Sequence, residues 1–184
     1  MDNWEGQLDR ISVAELCALL NSGTTTARGL TEACFRQINN FDDRVNAVIE
    51  RNPEALAIAD ERDAERRLGA TRGPMHGLPV MIKDNIDTGD CMATTGGSLA
   101  LVGAPAPKDA FIVDRFRKAG LVIIGKTNLS EWATFRATKS SSGWSSRGGQ
   151  TRNPYDPLRN PCGSSSGSAV AVAAGFCAAA IGTE

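Results

Sequence analysis

The stretch Gly163-Ser164-Ser165-Ser166-Gly167-Ser168 is the most informative part of this chain of 184 residues. Glycine and serine at this density supply backbone freedom and hydroxyl groups together, which a flexible surface linker also does. A linker, however, would not run directly into the small apolar residues 169–175, which are typical of a buried helix capped by its last glycine. Hydroxyl groups on a loop that leads into a buried helix suit hydroxyl-based catalysis or anion binding at the helix N-terminus.

The composition is that of an ordinary globular protein with one core. Hydrophobic residues make up 41% of the chain, charged residues 22%, and the formal net charge is −1. The chain lacks the excess of basic residues that would indicate a nucleic-acid partner. It also lacks an apolar run that approaches the ~20 residues of a membrane span. Because the five cysteines form no CxxC pair and residues 1–5 lack the features of a secretory signal, we expect reduced thiols in the cytoplasm. A single histidine without ligand-like spacing argues against zinc.

The first seventy residues are predicted to form a largely helical N-terminal segment, 1–70. Ser12 and Glu15 have the spacing of a capping box, and apolar residues follow them at helical intervals. Predicted helices begin near Ser12, near Thr25 or Thr26, and at Asn52-Pro53-Glu54, and the stop signals are residues 21–23 and Gly69.

The remaining residues, 71–184, are predicted to form an α/β domain. Their buried strands are expected at 78–82, 121–124 and 176–181, their helices at 110–119, from 128 and at 166–175, and a loop region at 136–163. This alternation of strands and helices favours a largely parallel sheet flanked by helices.

Two segments of this domain have the residue types of known functional motifs, but not the structural context that those motifs require. Residues 120–127 match the phosphate-binding P-loop, which follows a strand and wraps its backbone around phosphate oxygens. Here a predicted helix comes first, and residues 121–124 are mostly stiff, β-branched strand formers, so we interpret Lys126 as a polar residue at a strand end. Residues 80–83 are similar to the strand lysine of protein kinases, but no glycine-rich loop precedes them.

Lys83 is the candidate base for a serine hydroxyl. It leaves a predicted buried strand, so its amine can point into the domain, although a lone lysine at a strand end is usually an exposed charge. The single histidine, His76, lies in a turn and is interpreted as structural. Lysine is the other base that can activate serine, provided that burial lowers its pKa until the amine is neutral. Because Lys83 and Ser164 are far apart in the chain, any contact between them must be tertiary.

Several blocks of sequence resemble motifs of the amidase signature family, in the order in which that family has them. The blocks are residues 77–85 (GLPVMIKDN, its lysine motif), 125–133 (GKTNLSEWA), 153–155 with 162–168 (CGSSSGS, its glycine- and serine-rich signature) and 182–184 (GTE). The resemblance covers about residues 70 to 184. It is closest to bacterial peptide amidases because of residues 126–133, residues 143–155 and the CGSSSGS form of the signature at 162–168. It implies the amidase signature fold, a mixed, largely parallel sheet flanked by helices, which is incomplete in this chain.

The resemblance also implies a Ser–Ser–Lys triad that hydrolyses small-molecule or peptide amides without a metal or cofactor. Carried over by motif, Lys83 is the base, and Ser164, which follows a cis peptide bond from Gly163, is the bridging serine. Ser165 and Thr183 support this network. A neutral Lys83 would take the proton that Ser164 relays from a nucleophilic serine, and an acyl-enzyme would form.

By the same resemblance, the nucleophilic serine lies beyond Glu184. We therefore expect that these 184 residues alone do not hydrolyse amides, and that the unpaired edge of strand 176–181 favours a homo-oligomer or a complementing C-terminal chain. Two alternatives stay open: the amidase subunit of the tRNA-dependent glutamine amidotransferase, and a non-catalytic binding or assembly module. The lack of a basic excess and the likeness of residues 143–155 favour a peptide amidase.

Overall fold

The structure, a computed structural model, describes residues 8–135 and 138–184. The first seven residues of the predicted helical segment and the first two of the predicted loop region lie outside this range. The α-helices are α1 (Val13–Ser22), α2 (Ala27–Val45), α3 (Ala55–Arg67), α4 (Phe111–Lys118) and α5 (Ser166–Ala173). The strands are β1 (Val48–Arg51), β2 (Pro79–Lys83), β3 (Val122–Thr127), β4 (Trp144–Ser145), β5 (Gly149–Gln150) and β6 (Ala180–Ile181).

The central sheet is mixed and has the strand order β1-β3-β2-β6. β2 pairs in parallel with β3 on one side and with β6 on the other, whereas β1 runs antiparallel to β3. All residues of β2 and β3 are buried, as expected for strands covered on both faces. The predicted α/β fold with a largely parallel sheet is therefore confirmed.

The core joins this sheet to the helices that flank it. Both α2 and α5 pack on β2 and β3, and α3 packs on α2. The apolar cluster between these elements includes Leu16, Leu30, Ile38, Ile82, Ile123, Val170 and Phe176. This packing fixes the carboxyl ends of β2 and β3, where the candidate site lies.

The predicted start of α1 is confirmed by its capping bonds. The Glu15 backbone N–H donates to Ser12 Oγ at 3.2 Å, and the Ser12 backbone N–H donates to the Glu15 carboxylate at 2.8 Å. Both halves of the capping box are therefore present. Thr26 caps α2 in a similar way, because its Oγ1 accepts the N–H of Gly29 at 2.9 Å.

We expect Ser12→Ala to lower the free energy of unfolding by about 1 kcal/mol, because it removes the acceptor for an otherwise unpaired N–H of the first helical turn. Equilibrium unfolding in urea measures the change. The control is Ser140→Ala in an exposed loop, which should change the free energy by less than about 0.5 kcal/mol. Equal effects of the two substitutions would contradict the capping role.

The N-terminal half differs from the sequence analysis in two details. Helices take up most of the described residues of this segment, but residues 48–51 form a strand that was not predicted, β1, because their backbone pairs with β3. The third helix begins at Ala55 rather than at residues 52–54, although Asn52 Oδ1 still accepts the N–H of Glu54 at 2.9 Å. The division of the chain at residue 70 stays a prediction.

Three predictions for the C-terminal half are also wrong. The helix expected from residue 128 is a short 3-10 turn, Glu131–Thr134, because the N–H of Trp132 donates to Gly96 at 2.9 Å and the backbone turns left-handed there. The strand expected at 176–181 is reduced to β6, two residues at the edge of the sheet. β3 extends beyond its predicted end, so Lys126 lies inside the strand and is fully buried.

Candidate active site

The structure places Lys83 at the carboxyl end of β2, with its amine among three hydroxyl groups. Lys83 Nζ lies 2.7 Å from Ser164 Oγ, 3.0 Å from Ser165 Oγ and 2.8 Å from Thr183 Oγ1. The lysine side chain is fully buried. Residues that are up to 100 positions apart in the chain thus meet around one nitrogen atom. This is the tertiary contact that the sequence required of Lys83 and Ser164.

Ser164 is held in the loop that leads into α5. The peptide bond between Gly163 and Ser164 is cis, and the backbone N–H of Ser130 donates to the Ser164 carbonyl at 3.0 Å. A Cβ atom at position 163 would lie 2.5 Å from Ser130 Oγ and 3.1 Å from Ser166 Oγ. Glycine is therefore needed at 163 for this close approach, which brings Ser164 up to the lysine.

Ser165 connects the same loop to the chain that follows β6. Its Oγ donates to the carbonyl of Thr183 at 3.1 Å and accepts the backbone N–H of Thr183 at 3.1 Å. These two bonds fix the Thr183 backbone, so that its own hydroxyl faces the lysine amine. Ser165 thus orders the hydroxyl groups around Lys83, as well as contacting the amine directly.

The sequence did not single out Asn85 as a site residue, but the structure brings it to the site. Asn85 Nδ2 donates to Thr183 Oγ1 at 3.0 Å, and this same oxygen also accepts from Lys83 Nζ. Asn85 lies in the turn after β2, which the N–H of Ile86 closes by donating to the carbonyl of Lys83 at 3.0 Å. Its place two residues after Lys83 in the motif GLPVMIKDN was a signal that could have suggested the amide, but the turn that directs it to Thr183 is not evident from residue spacing.

The start of α5 is fixed to the carboxyl ends of two strands. The N–H of Gly167 donates to the carbonyl of Asn128 at 3.0 Å, just beyond β3. Ser168 Oγ lies 2.7 Å from Thr127 Oγ1 and donates to the carbonyl of Ile181 at 3.0 Å. The loop that carries Ser164 is therefore held by the sheet through its first helical turn.

Burial changes the acid–base chemistry of Lys83. Loss of hydration lowers the pKa of its amine to about 8, and the carboxylate of Glu184 opposes this shift. With that pKa, the amine is neutral in roughly a tenth of the molecules at pH 7. A lysine with an ordinary pKa would be neutral in fewer than about one molecule in a thousand. The neutral amine has a lone pair and can accept a proton from Ser164.

Lys126 is a second buried lysine, but its amine has other partners. It donates to the carbonyl of Ile86 at 2.7 Å and to Thr94 Oγ1 at 3.0 Å, both in the turn region after β2. Burial lowers the pKa of this amine as well, and nearby carboxylates, Asp84 first among them, oppose the shift. Because β3 is a buried strand around it, Lys126 does not belong to a phosphate loop, which confirms that the P-loop pattern is fortuitous.

His76 occupies a structural position, as the sequence suggested. It is buried in the turn before β2, with Nε2 2.8 Å from the carbonyl of Arg62, while Nδ1 accepts the backbone N–H of Arg72 at 3.3 Å. Both ring nitrogens of His76 are thus engaged with the backbone. The hydroxyl cluster is at the opposite end of β2, because Lys83 is the last residue of that strand and His76 precedes its first.

An open cavity of about 410 Å³ adjoins the hydroxyl cluster at Asn85. Its lining includes Asn85, Thr94, Thr95, Gly96, Leu101, Trp132 and Phe135. A larger cavity, of about 480 Å³, lies instead between α2 and the loop at 153–157. The smaller cavity is the better candidate for the substrate, because one of its walls contacts Thr183 next to the lysine amine.

Within the ranges 8–135 and 138–184, no group of three or more His, Cys, Asp or Glu side chains is arranged to hold a metal ion. All five cysteines are free thiols. Over the same described residues, none of the helices combines the length and apolarity that a bilayer crossing requires. The expectations of a cofactor-free site and of a cytoplasmic location stay predictions.

Known proteins are similar to this chain in sequence and in fold. The native peptide amidase from Stenotrophomonas maltophilia is 55% identical with a TM-score of 0.90, over 93% of this chain and 35% of that one. An amidase family protein from Bacillus anthracis is 36% identical with a TM-score of 0.92, over 98% of this chain and 36% of that one. A glutamyl-tRNA(Gln) amidotransferase subunit from Chloroflexus aurantiacus is 41% identical over 179 residues, which are 97% of this chain and 36% of that protein.

The chain spans about a third of the length of these relatives. The family described as Amidase matches residues 29–184, which is most of the sequence. The match includes Lys83, the Gly163–Ser168 loop and Thr183. The resemblance inferred from the sequence motifs is thereby confirmed, and the chain belongs to the amidase family.

Proposed function

We propose that this chain provides the base and the bridging hydroxyl of an amide hydrolase with a Ser–Ser–Lys triad. The observation that carries the proposal is the 2.7 Å contact between Lys83 Nζ and Ser164 Oγ inside the protein. Lys83 is buried among hydroxyl groups and has no carboxylate at hydrogen-bond distance among the residues that the structure describes, so its loss of hydration favours the neutral form. A neutral amine next to a serine is the arrangement that general-base activation needs.

The proton path follows from these contacts. Neutral Lys83 accepts the proton of Ser164 while Ser164 accepts the proton of the nucleophilic serine, whose oxygen attacks the amide carbonyl carbon. The tetrahedral intermediate collapses with cleavage of the C–N bond, and the proton on Lys83 returns through Ser164 to the leaving nitrogen. Water then attacks the acyl carbonyl carbon and gives a proton through Ser164 to Lys83. The ester C–O bond breaks, the proton returns to the oxygen of the nucleophilic serine, and the carboxylic acid is released. Thr183 and Ser165 orient the amine in each step.

The nucleophile in this proposal is a serine beyond Glu184, in a continuation of the chain or in a complementing chain. Ser165 does not suit the role, because its hydroxyl is bonded both to the backbone of Thr183 and to the lysine. The family motif places the nucleophile a few residues after Thr183, and relatives that are about three times as long extend past this point. We therefore propose that residues 1–184 alone do not turn over amides.

The proposed substrate is a peptide amide or a related linear carboxamide, from which ammonia is released. The identity of 55% with a peptide amidase and the mixed polar and apolar lining of the cavity at Asn85 support this class. A second candidate is the amidase component of a glutamyl-tRNA(Gln) amidotransferase, favoured by the identity of 41% with a protein of that kind. A non-catalytic module gives no role to an amine that meets three hydroxyl groups, whereas the buried amine of Lys126 is held by a backbone carbonyl. A homo-oligomer stays a prediction.

Ammonia release tests the proposed function. The full-length natural product that carries this sequence should release ammonia from C-terminal peptide amides, and residues 1–184 alone should not, because they lack the nucleophile. A coupled glutamate dehydrogenase assay measures both proteins at equal concentration. Release by the 184 residues at a rate that depends on Lys83 would overturn the assignment of the nucleophile. Release from glutamine, but not from peptide amides, would favour the amidotransferase alternative.

The pH dependence of hydrolysis should report the neutral amine. Since only deprotonated Lys83 accepts a proton, kcat/KM should rise about tenfold per pH unit below the lysine pKa of about 8 and level off above it. Initial rates between pH 6 and pH 9.5, at substrate concentrations well below KM, give the profile. A rate that falls with rising pH over this interval would contradict lysine as the general base.

A further inference from the structure

The side chains of residues 83–85 alternate between two sides of the chain. Lys83 and Asn85 both donate to Thr183 Oγ1, at 2.8 and 3.0 Å. Asp84 lies between them in the turn after β2, which the N–H of Ile86 closes by donating to the carbonyl of Lys83 at 3.0 Å, and its side chain bonds to other residues. The conformation of Asp84 therefore determines where its two neighbours present their polar groups.

Asp84 is fully buried and joins the end of β2 to the turn at residues 95–97. Its carbonyl accepts the N–H groups of Thr95 and Gly96, each at 3.1 Å. Its carboxylate accepts the hydroxyl of Thr95 at short range and the N–H of Gly97 at 3.1 Å. Thr95 and Gly96 also line the cavity next to Asn85. Asp84 thus sets both the direction of the lysine and one wall of this cavity.

Arg147 is the cationic partner of this buried carboxylate. Its Nη1 donates to Asp84 Oδ1 at 3.3 Å, and its Nη2 forms a close ion pair with Glu50 of β1. The backbone N–H of Arg147 donates to the carbonyl of Gly97 at 2.9 Å. Arg147 therefore contacts the turn at 95–97 directly through its backbone, and indirectly through the carboxylate of Asp84. Its side chain is only 13% exposed, which protects both ion pairs from solvent.

We propose that Arg147 is a positioning residue for amide hydrolysis, which holds Asp84 so that Lys83 and Asn85 both meet Thr183. This inference rests on the proposed function, because it assigns a role in the same reaction. Arg147 lies far along the chain, in the β4–β5 hairpin region, and contacts none of the three hydroxyl groups itself. The planar guanidinium of Arg147 holds the carboxylates of Asp84 and Glu50 in a fixed relative geometry. The ammonium group of a lysine carries the same charge but does not impose that geometry.

The test compares Arg147→Met with Arg147→Lys in the full-length natural product. Misplacement of the base should lower kcat by about 10-fold to 100-fold in Arg147→Met with KM changed less than about twofold, and Arg147→Lys should recover only part of the loss. The control is Arg159→Met, an exposed arginine paired with Asp156, which should keep the wild-type kcat and KM. Rates are normalised to folded protein by near-UV circular dichroism.

A purely structural role of Arg147 makes a different prediction. Loss of activity would then follow the loss of folded protein, and kcat per folded molecule would be unchanged, which overturns the proposal. If Arg147→Met does not fold, the double variant Arg147→Met with Asp84→Asn removes the uncompensated buried charge while it keeps the shape of the side chain. A double variant with wild-type kcat overturns the proposal, because the loss in Arg147→Met would then come from the unpaired charge of Asp84 and not from lost positioning. A kcat that stays at least about tenfold below the wild-type value supports the proposal.

Amide hydrogen exchange separates this proposal from the proposed function. The N–H groups of Thr95, Gly96 and Gly97, which donate to Asp84, should exchange at least about tenfold faster in Arg147→Met than in Arg159→Met. This measurement needs no turnover and is made on residues 1–184. Unchanged exchange overturns the role of Arg147 whether or not the full-length product hydrolyses amides. Faster exchange in a protein without amidase activity supports the Arg147–Asp84 link and refutes the proposed reaction instead.

Discussion

Replacement of Lys83 by methionine should lower kcat for amide hydrolysis by the full-length natural product about 1,000-fold or more, with little loss of folded structure. In the proposed mechanism the amine is the base to which Ser164 passes its proton, and a missing general base typically costs between about 100-fold and 10,000-fold. Methionine has a similar length and suits a fully buried position. The three hydroxyl groups left behind can bond to one another, since each both donates and accepts. Initial rates and thermal unfolding measure the two effects.

The matched control for this variant is Lys118→Met. Lys118 is an exposed lysine at the end of α4, paired with Asp114 at 2.7 Å, so its loss should leave kcat unchanged. Thermal unfolding should show a similar midpoint for both variants and the wild type. A Lys83→Met enzyme that retains more than about a tenth of the wild-type kcat would refute the role of Lys83 as the base.

Replacement of Gly167 by alanine should destabilise the fold by about 3 kcal/mol or more. An added Cβ atom would lie 2.4 Å from the carbonyl oxygen of Asn128 and 2.5 Å from that of Ala47, which are backbone atoms of two different segments. Neither segment can yield freely, because the N–H of Asn128 donates to Ala47 and the N–H of Gly167 donates to Asn128. The helix that positions Ser164 would have to move away from the sheet.

Equilibrium unfolding of residues 1–184 in urea measures this loss, and Gly73→Ala is the matched control. A Cβ atom at Gly73 would have the carbonyl oxygen of Ala119 at 3.9 Å as its nearest neighbour, which is ordinary van der Waals contact. Gly73→Ala should therefore change the free energy of unfolding by less than about 1 kcal/mol. Equal stability of the two variants would mean that α5 does not pack closely on Asn128.

The features that could be predicted from the sequence are those that depend on local patterns. The apolar runs at 78–82 and 121–124 mark β2 and β3, because strands covered on both faces are apolar throughout. The capping box at Ser12 marks the start of α1, because its hydrogen bonds connect residues three apart. The meeting of Lys83 and Ser164 was predicted from family motifs and not from periodicity.

The features that could not be predicted depend on contacts between distant segments. β1 is a strand because β3 offers it an open edge, and the left-handed turn at Trp132 follows from a bond to Gly96. The partners of Asn85 and Arg147 come from residues about 60 to 100 positions away along the chain. Residue type and spacing along the chain carry little information on contacts of this kind.

The central claim is that the protein interior holds Lys83 with a lowered pKa at hydrogen-bond distance from Ser164. The most direct test is a titration of residues 1–184 with labelled lysine side chains, in which the ¹³Cε and ¹⁵Nζ signals are followed by NMR between pH 6 and pH 11. The signal that is missing in Lys83→Met identifies the residue. A midpoint near pH 8 is the result that the structure predicts, and a midpoint near 10.5, the ordinary value for a hydrated lysine, would contradict it.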